Sequence, residues 1–235
     1  MAIRLLVFDV DGTLTEHHTP LSASTRNILD RLKERYRLLF LSAGSCQRIL
    51  KQTDYYPVDV LGNYGMECAL AKEDGHLYEA WHSVPVDGDK LLTAAAVLRK
   101  KFGYTDFQGN SLIINPNGCI IFPLLGDEAP LERRLSFDRD ASIRERMYDE
   151  VVELFPSHLV FLGGTTSFDM PPKPFDKRFA LCEYCSRMGF STDEVVVFGD
   201  GYRKNENDEP LYLSEFTFVK VDDYRRIETA VSPYL

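Results

Sequence analysis

The string Asp9-Val10-Asp11-Gly12-Thr13 follows the apolar run Ile3-Arg4-Leu5-Leu6-Val7-Phe8 and constrains the chain more than any other feature. Such a run reads as a buried strand of a parallel sheet. In an extended chain residues i and i+2 point the same way, so Asp9 and Asp11 are expected to project together from the strand end. Gly12 then permits a sharp turn. Two adjacent carboxylates disfavour each other's ionisation, a cost that a divalent cation removes. Open α/β sheets bind ligands at the carboxyl ends of their strands. Taken alone, the string also fits a solvated, Asp-rich turn.

Organisation along the chain gives β-α alternation, an interruption, and a return. Ser22 is expected to cap a helix that runs through Asn27–Leu32 and ends near Tyr36, Leu38–Leu41 is a strand, and Gln47–Lys51 begins a helix. From about Asn63 the pattern changes. Met66–Leu70 and His76–Trp81 flank the hairpin signal Glu73-Asp74-Gly75, and Lys90–Lys101 is an amphipathic helix. Leu112–Ile114 and Cys119–Phe122 flank a turn at Asn115–Gly118; a helix at Ser142–Leu154 and strands at Leu159–Leu162 and Ser167–Met170 follow. Pro171-Pro172-Lys173-Pro174 reads as a hinge. Alternation resumes with helix Asp176–Met188, strands Val195–Phe198 and Phe216–Val219, and a helix near Asp223–Val231. The expected fold is α/β: a Rossmann-like parallel-sheet core at 1–83 and 172–235, interrupted by an inserted α+β cap at 84–171. Lids of this kind exclude water and complete a site.

The remaining chemistry falls at strand and helix ends. Leu41-Ser42-Ala43-Gly44-Ser45 closes the second strand with hydroxyls and a glycine, suited either to a phosphate oxygen or to an ordinary N-cap at Ser45. Lys177 opens a helix, where a cation opposes the dipole, which points to a ligand. Val197-Phe198-Gly199-Asp200-Gly201 sets a third carboxylate at a strand end, with Asn207-Asp208 downstream. Asp9, Asp11 and Asp200 form an oxygen-rich set suited to Mg²⁺.

Composition narrows the partners. The 27 basic and 36 acidic residues give a net charge of −9 and a pI near 5.1, against nucleic acid and anionic membrane. No apolar run approaches a membrane span, and the catalytic-looking strand begins directly after Met1-Ala2, so a cytoplasmic location is expected. Five irregularly spaced cysteines make no disulfide framework, and Cys182-Glu183-Tyr184-Cys185 reads as part of a helix face rather than a zinc site.

These pieces, in this order, resemble the motif set of the haloacid-dehalogenase superfamily of phosphotransfer enzymes. Gly163-Gly164-Thr165-Thr166-Ser167-Phe168-Asp169, Asp176-Lys177-Arg178 and the delayed Asn207-Asp208 narrow the resemblance to the eukaryotic-type phosphomannomutase family, over nearly the whole chain. The resemblance implies Asp9 as nucleophile, Asp11 as general acid and base, and Lys177 as the charge on the phosphoryl oxygens. It implies Mg²⁺ held by Asp9, Asp11, Asp200 and Asp208, with Gly12, Thr13 and Asn207 supporting. Ser42, Gly44, Ser45 and Lys177 would bind phosphate; Arg133, Ser167 and Asp169 would bind a small phosphorylated substrate. A homodimer through the cap is the one protein partner considered.

One departure matters. The family's arginines fall here at His18, Pro116 and Asp127, leaving Arg133 or Arg134 as a retained cap arginine. His17 and His18 otherwise read as loop residues. Losing cationic contacts to the non-transferred phosphate favours release to water, so a sugar-phosphate phosphatase is expected, with phosphomannomutase as the alternative. A non-catalytic sugar-phosphate binder is a third reading, countered by the presence of Asp9, Asp11, Lys177 and Asp200.

Overall fold

The computed structural model describes residues 2–235. In chain order, β1 (Leu5–Phe8), α1 (Ala23–Lys33), β2 (Arg37–Leu41), α2 (Cys46–Gln52), β3 (Asp59–Gly62), β4 (Glu67–Lys72) and β5 (Gly75–Ala80) come first. Then follow α3 (Gly88–Phe102), β6 (Ile113–Ile114), β7 (Ile120–Pro123), α4 (Leu131–Phe137), α5 (Ser142–Leu154), β8 (Phe161–Gly163) and β9 (Ser167–Met170). The chain closes with α6 (Lys177–Met188), β10 (Val195–Gly199), α7 (Glu209–Tyr212), β11 (Thr217–Lys220) and α8 (Ile227–Val231). It divides into two units, one of Met1–His82 with Asp176–Leu235 and one of Ser83–Phe175.

The first unit is built on a seven-stranded sheet of order β11-β10-β1-β2-β3-β4-β5. Strands β11 through β3 run parallel, and the β4–β5 hairpin extends the sheet antiparallel from β3. The period-2 alternation of the strands divides the core in two. Leu6, Phe8, Leu38, Phe40, Val196 and Phe198 pack with Ile28, Leu29, Ile49 and Ile227 from α1, α2 and α8. Leu5, Val7, Leu39, Leu41, Val195 and Val197 pack with Ala180, Leu181 and Leu211 from α6 and α7. Each such fully buried aliphatic or phenyl group contributes about 1.5–3 kcal/mol. Both faces being covered explains the unbroken apolar strands. α1 starts where expected: the Ser22 hydroxyl accepts from Thr25 N at 3.0 Å.

The second unit has a four-stranded antiparallel sheet of order β6-β7-β9-β8. Leu91, Ala95 and Leu98 of α3, and Met147 and Val151 of α5, cover Phe122, Phe168 and Met170. A buried ion pair, Arg144 Nε to Asp138 Oδ2 at 2.9 Å, anchors α5, and Arg144 Nη1 also donates to the carbonyls of Gly163, Gly164 and Ser167. That arginine shapes the β8–β9 turn. The proline-rich segment read as a hinge is tied into this unit: Pro171 and Pro172 are buried, and Lys173 N donates to Ser157 O at 3.0 Å. All five cysteines are free. Among the described residues no helix is long and apolar enough to cross a membrane.

Candidate active site

Parallel register assembles the site. Phe8 of β1 is level with Phe198 of β10 on one side and Phe40 of β2 on the other, so Asp9, Gly199-Asp200 and Leu41-Ser42 leave the sheet together. Asp9 remains tied to β10 through its N–H, which donates to Phe198 O at 2.9 Å. The turn after it brings Asp200 against Gly12: that residue has φ +91°, and a Cβ there would stand 2.2 Å from Asp200 Oδ2. Only glycine meets both demands. Thr13 donates its hydroxyl to Asp200 Oδ1 at 3.0 Å.

Lys177 is the first residue of α6, whose Asp176 cap accepts from Phe179 N at 2.7 Å. Its ammonium is wholly buried and donates to Asp9 Oδ1 and Asp208 Oδ1, both at 2.6 Å. Burial alone would lower the lysine pKa, but Asp208 and Asp9 more than reverse this and raise it. Asp208 is oriented further by Gly201 N, which donates to Oδ2 at 3.1 Å. Asn207 lies beside Gly201.

Asp9, Asp200 and Asp208 each bring a carboxylate oxygen within 4.8 Å of the others. One ammonium faces three carboxylates, and the electrostatics show the strain. Burial, opposed by Lys177 and reinforced by Asp208 and Asp200, pushes Asp9 well above the usual carboxylate range. Burial and Asp208 push Asp200 up to about 6. Crowded hard oxygens with excess negative charge fit a divalent cation such as Mg²⁺.

Asp11 is not brought into this group. β1 ends at Phe8, and the bridge Asp11↔Thr15 places Asp11 in the turn, so the strand rule that paired it with Asp9 does not apply. Its carboxylate instead accepts from His18 N at 2.7 Å and Gln52 Nε2 at 2.9 Å, and stands 2.8 Å from Arg48 Nη2. Burial works against ionisation, yet Arg48, His18 N–H and Gln52 together lower Asp11 to about 2. The expectation that its carboxylate ligates metal is therefore corrected. Arg48 and Gln52 were not singled out from the sequence; their i, i+4 spacing after Ser45 was the available signal.

The Ser42 hydroxyl accepts from Gly44 N at 3.1 Å, and Ser45 caps α2 by accepting from Arg48 N at 3.2 Å. These serines shape the loop after β2. In the second unit, Ser167 Oγ donates to Gly163 O at 2.9 Å and to Asp169 Oδ1 at 3.3 Å, so the two side chains share one face of β9. Arg133 is exposed on α4. Arg134 is half-buried, its carbonyl accepts from Thr165 Oγ1 at 2.6 Å, and its Nε is buried with no partner among the described residues. Asp127 is held by Asn110 N at 2.6 Å and Asn110 Nδ2 at 2.9 Å, and Asn110 keeps its carboxyl below the usual range.

The chain is similar to known proteins in sequence and in fold. The family model described as eukaryotic phosphomannomutase matches residues 106–227. A phosphomannomutase of Saccharomyces cerevisiae is 25% identical over 230 residues, covering 91% of this chain and 86% of that protein. One from Solanum lycopersicum is 27% identical over 233 residues, covering 91% and 86%. Among solved structures, a truncated IMP-bound IMP-nucleotidase of Plasmodium falciparum superposes with TM-score 0.74 at 13% identity, over 99% of this chain and 68% of that one. A haloacid dehalogenase-like hydrolase of Bacteroides thetaiotaomicron gives TM-score 0.59 at 17% identity, over 97% and 99%. The structural neighbours speak for the fold alone. Together with the family match they make this chain an enzyme of the haloacid-dehalogenase superfamily that belongs to the eukaryotic phosphomannomutase family.

Proposed function

We propose that the enzyme is a divalent-metal-dependent phosphosugar mutase that moves a phosphoryl group between positions of a hexose phosphate through Asp9. The observation that carries phosphoryl transfer is the buried Lys177 bonded at 2.6 Å to both Asp9 and Asp208. Asp9 Oδ2 is free of that ammonium and attacks phosphorus, while Lys177 offsets charge on the Asp9 side of the transferred group. Asp11, held in the turn after β1 by Arg48 and Gln52, exchanges the proton of the leaving and entering sugar oxygens. Asp9 and Asp200, with Asp208 beside them, would hold a Mg²⁺ ion, which would supply positive charge to the phosphoryl oxygens. Both Asp208 oxygens already accept bonds, so its main work is orienting Lys177. The unit Ser83–Phe175 serves as the cap, with Ser167, Asp169 and Arg134 as its sugar or phosphate contacts.

Returning the group to sugar is favoured over hydrolysis because relatives matching 91% of the chain are phosphomannomutases. This reverses the preference drawn from the sequence. Hydrolysis stays as the second reading on one observation: Asp127, in place of an arginine, is committed to Asn110 and repels a second phosphate. The test is a paired assay on mannose 1-phosphate and glucose 1-phosphate with a catalytic amount of hexose bisphosphate. The mutase reading predicts 6-phosphate isomer in excess of inorganic phosphate. Phosphate release that exceeds isomer formation and needs no bisphosphate would establish the phosphatase instead.

A further inference from the structure

A cavity of about 580 Å³ opens in the first unit where α2 meets the β4–β5 hairpin. Gln47, Leu50 and Tyr55 line it from α2 and the turn after it, and Glu67, His76 and Tyr78 from the hairpin. None of Asp9, Lys177, Asp200 and Asp208 lines it. Its aromatic walls are open to solvent: Tyr55 is 59% exposed and Tyr78, on the edge strand β5, is 46% exposed. Leu50, by contrast, is buried. Tyr55 is presented by a turn in which both Asp54 and Tyr55 take left-handed backbone, at φ 51° and 49°. Two such non-glycine residues in succession are uncommon, and strain of this kind concentrates at ligand clamps.

The charge of the cavity is one-sided. Glu67 Oε2 accepts from Cys46 N at 3.0 Å and from the Tyr78 hydroxyl at 2.8 Å, and Oε1 accepts from Asn63 Nδ2. All three donors are neutral, and among the described residues Glu67 makes no ion pair. No lysine or arginine lines the cavity. His76 adds no donor there: its Nε2 bonds to the Val58 carbonyl at 3.0 Å and must carry the proton, while Nδ1 is a buried acceptor with no partner among the described residues. An uncompensated carboxylate beside exposed tyrosine rings complements a cation, through charge and through the ring faces.

We infer that this cavity is a binding site for a small organic amine in its protonated form, with Glu67 balancing the ammonium and Tyr55, Tyr78 and Leu50 covering the apolar body. The site is independent of the phosphosugar reading. It bears on the catalytic turn all the same, because Glu67 holds the first N–H of α2, the helix whose Arg48 and Gln52 hold Asp11.

An amide-resonance titration in Mg²⁺ buffer with 2-phenylethylamine, 2-phenylethanol and 3-phenylpropionate decides it, since the three probes share a body and differ in charge. The amine should saturate, shift resonances of α2 and the β4–β5 hairpin, and bind about tenfold more tightly than the alcohol, as expected for one charge-assisted contact. The carboxylate should not bind. Glu67→Gln should abolish the preference for the amine over the alcohol. Tyr55→Ala, which removes only an exposed ring, should weaken the amine about threefold or more. Equal binding of all three probes, a preference that survives Glu67→Gln, or no saturation by about 10 mM amine would overturn the inference. So would shifts centred on Asp9 and Asp200, which would assign the amine to the catalytic carboxylates. Should Glu67→Gln not fold, Tyr55→Ala decides: amine affinity equal to wild type rules the cavity out.

Discussion

Asp200→Asn is expected to stabilise the metal-free protein at neutral pH, because the native carboxylate is ionised there against its surroundings. Its pKa rises from 3.8 to about 6, chiefly through burial and the neighbouring Asp208. At about 1.4 kcal/mol per unit, ionisation in the folded state costs about 3 kcal/mol relative to the unfolded chain. Asparagine keeps an acceptor for the Thr13 hydroxyl, now 3.0 Å from Asp200 Oδ1; weakening that bond takes back about 1 kcal/mol. The net gain is about 2 kcal/mol. The sign follows from proton uptake: below pH 3.8 the group is protonated in both states and costs nothing, the penalty grows up to about pH 6, and it is constant above. Urea denaturation of both proteins in chelator, from about pH 4 to about pH 7.5, should show a stability gap that opens with pH. Adding Mg²⁺ should close it, since only the wild type gains a binding partner. A variant less stable than wild type at neutral pH in chelator, or a gap independent of pH, would refute the reasoning.

Asp9→Asn should abolish turnover while leaving the fold intact by circular dichroism; activity within about tenfold of wild type would exclude the covalent route. Lys177→Met should cost about 3–5 kcal/mol in urea denaturation, because it leaves Asp9 and Asp208 buried without their shared ammonium; an unchanged midpoint would contradict the role given to that triad. Chelation should remove activity, Mg²⁺ should restore it and Ca²⁺ should not, as read by phosphate and isomer release.

Much of the first unit was legible because a parallel sheet buried on both faces writes itself as short apolar runs ending in the catalytic residues. β1, β2 and β10 are of this kind, and the cation at the start of α6 announced Lys177. β3 was missed for a physical reason: it begins with Asp59, a buried carboxylate bonded to Arg37 and Tyr184, which breaks the apolar signal. α4 gave none, since it buries no residue and its Pro130 cap makes no side-chain bond. Asp11 was misplaced because alternation holds only while the chain is extended, and the strand had already ended. Arg48 and Gln52 look like ordinary solvated helix residues, and only the close approach of α2 to the turn reveals them. Asp208 was reached through resemblance alone; nothing in a loop eight residues after Asp200 announces that it meets Lys177.

Trapping the phosphoenzyme tests the central claim most directly. Enzyme mixed with glucose 1,6-bisphosphate and Mg²⁺, quenched in acid and digested, should yield a peptide from the β1 strand end carrying one phosphoryl group on Asp9. Hydroxylamine should remove it, as expected of an acyl phosphate, and Asp9→Asn should not form it. Turnover by wild type with no phosphate on Asp9, or a label that survives in Asp9→Asn, would contradict the account.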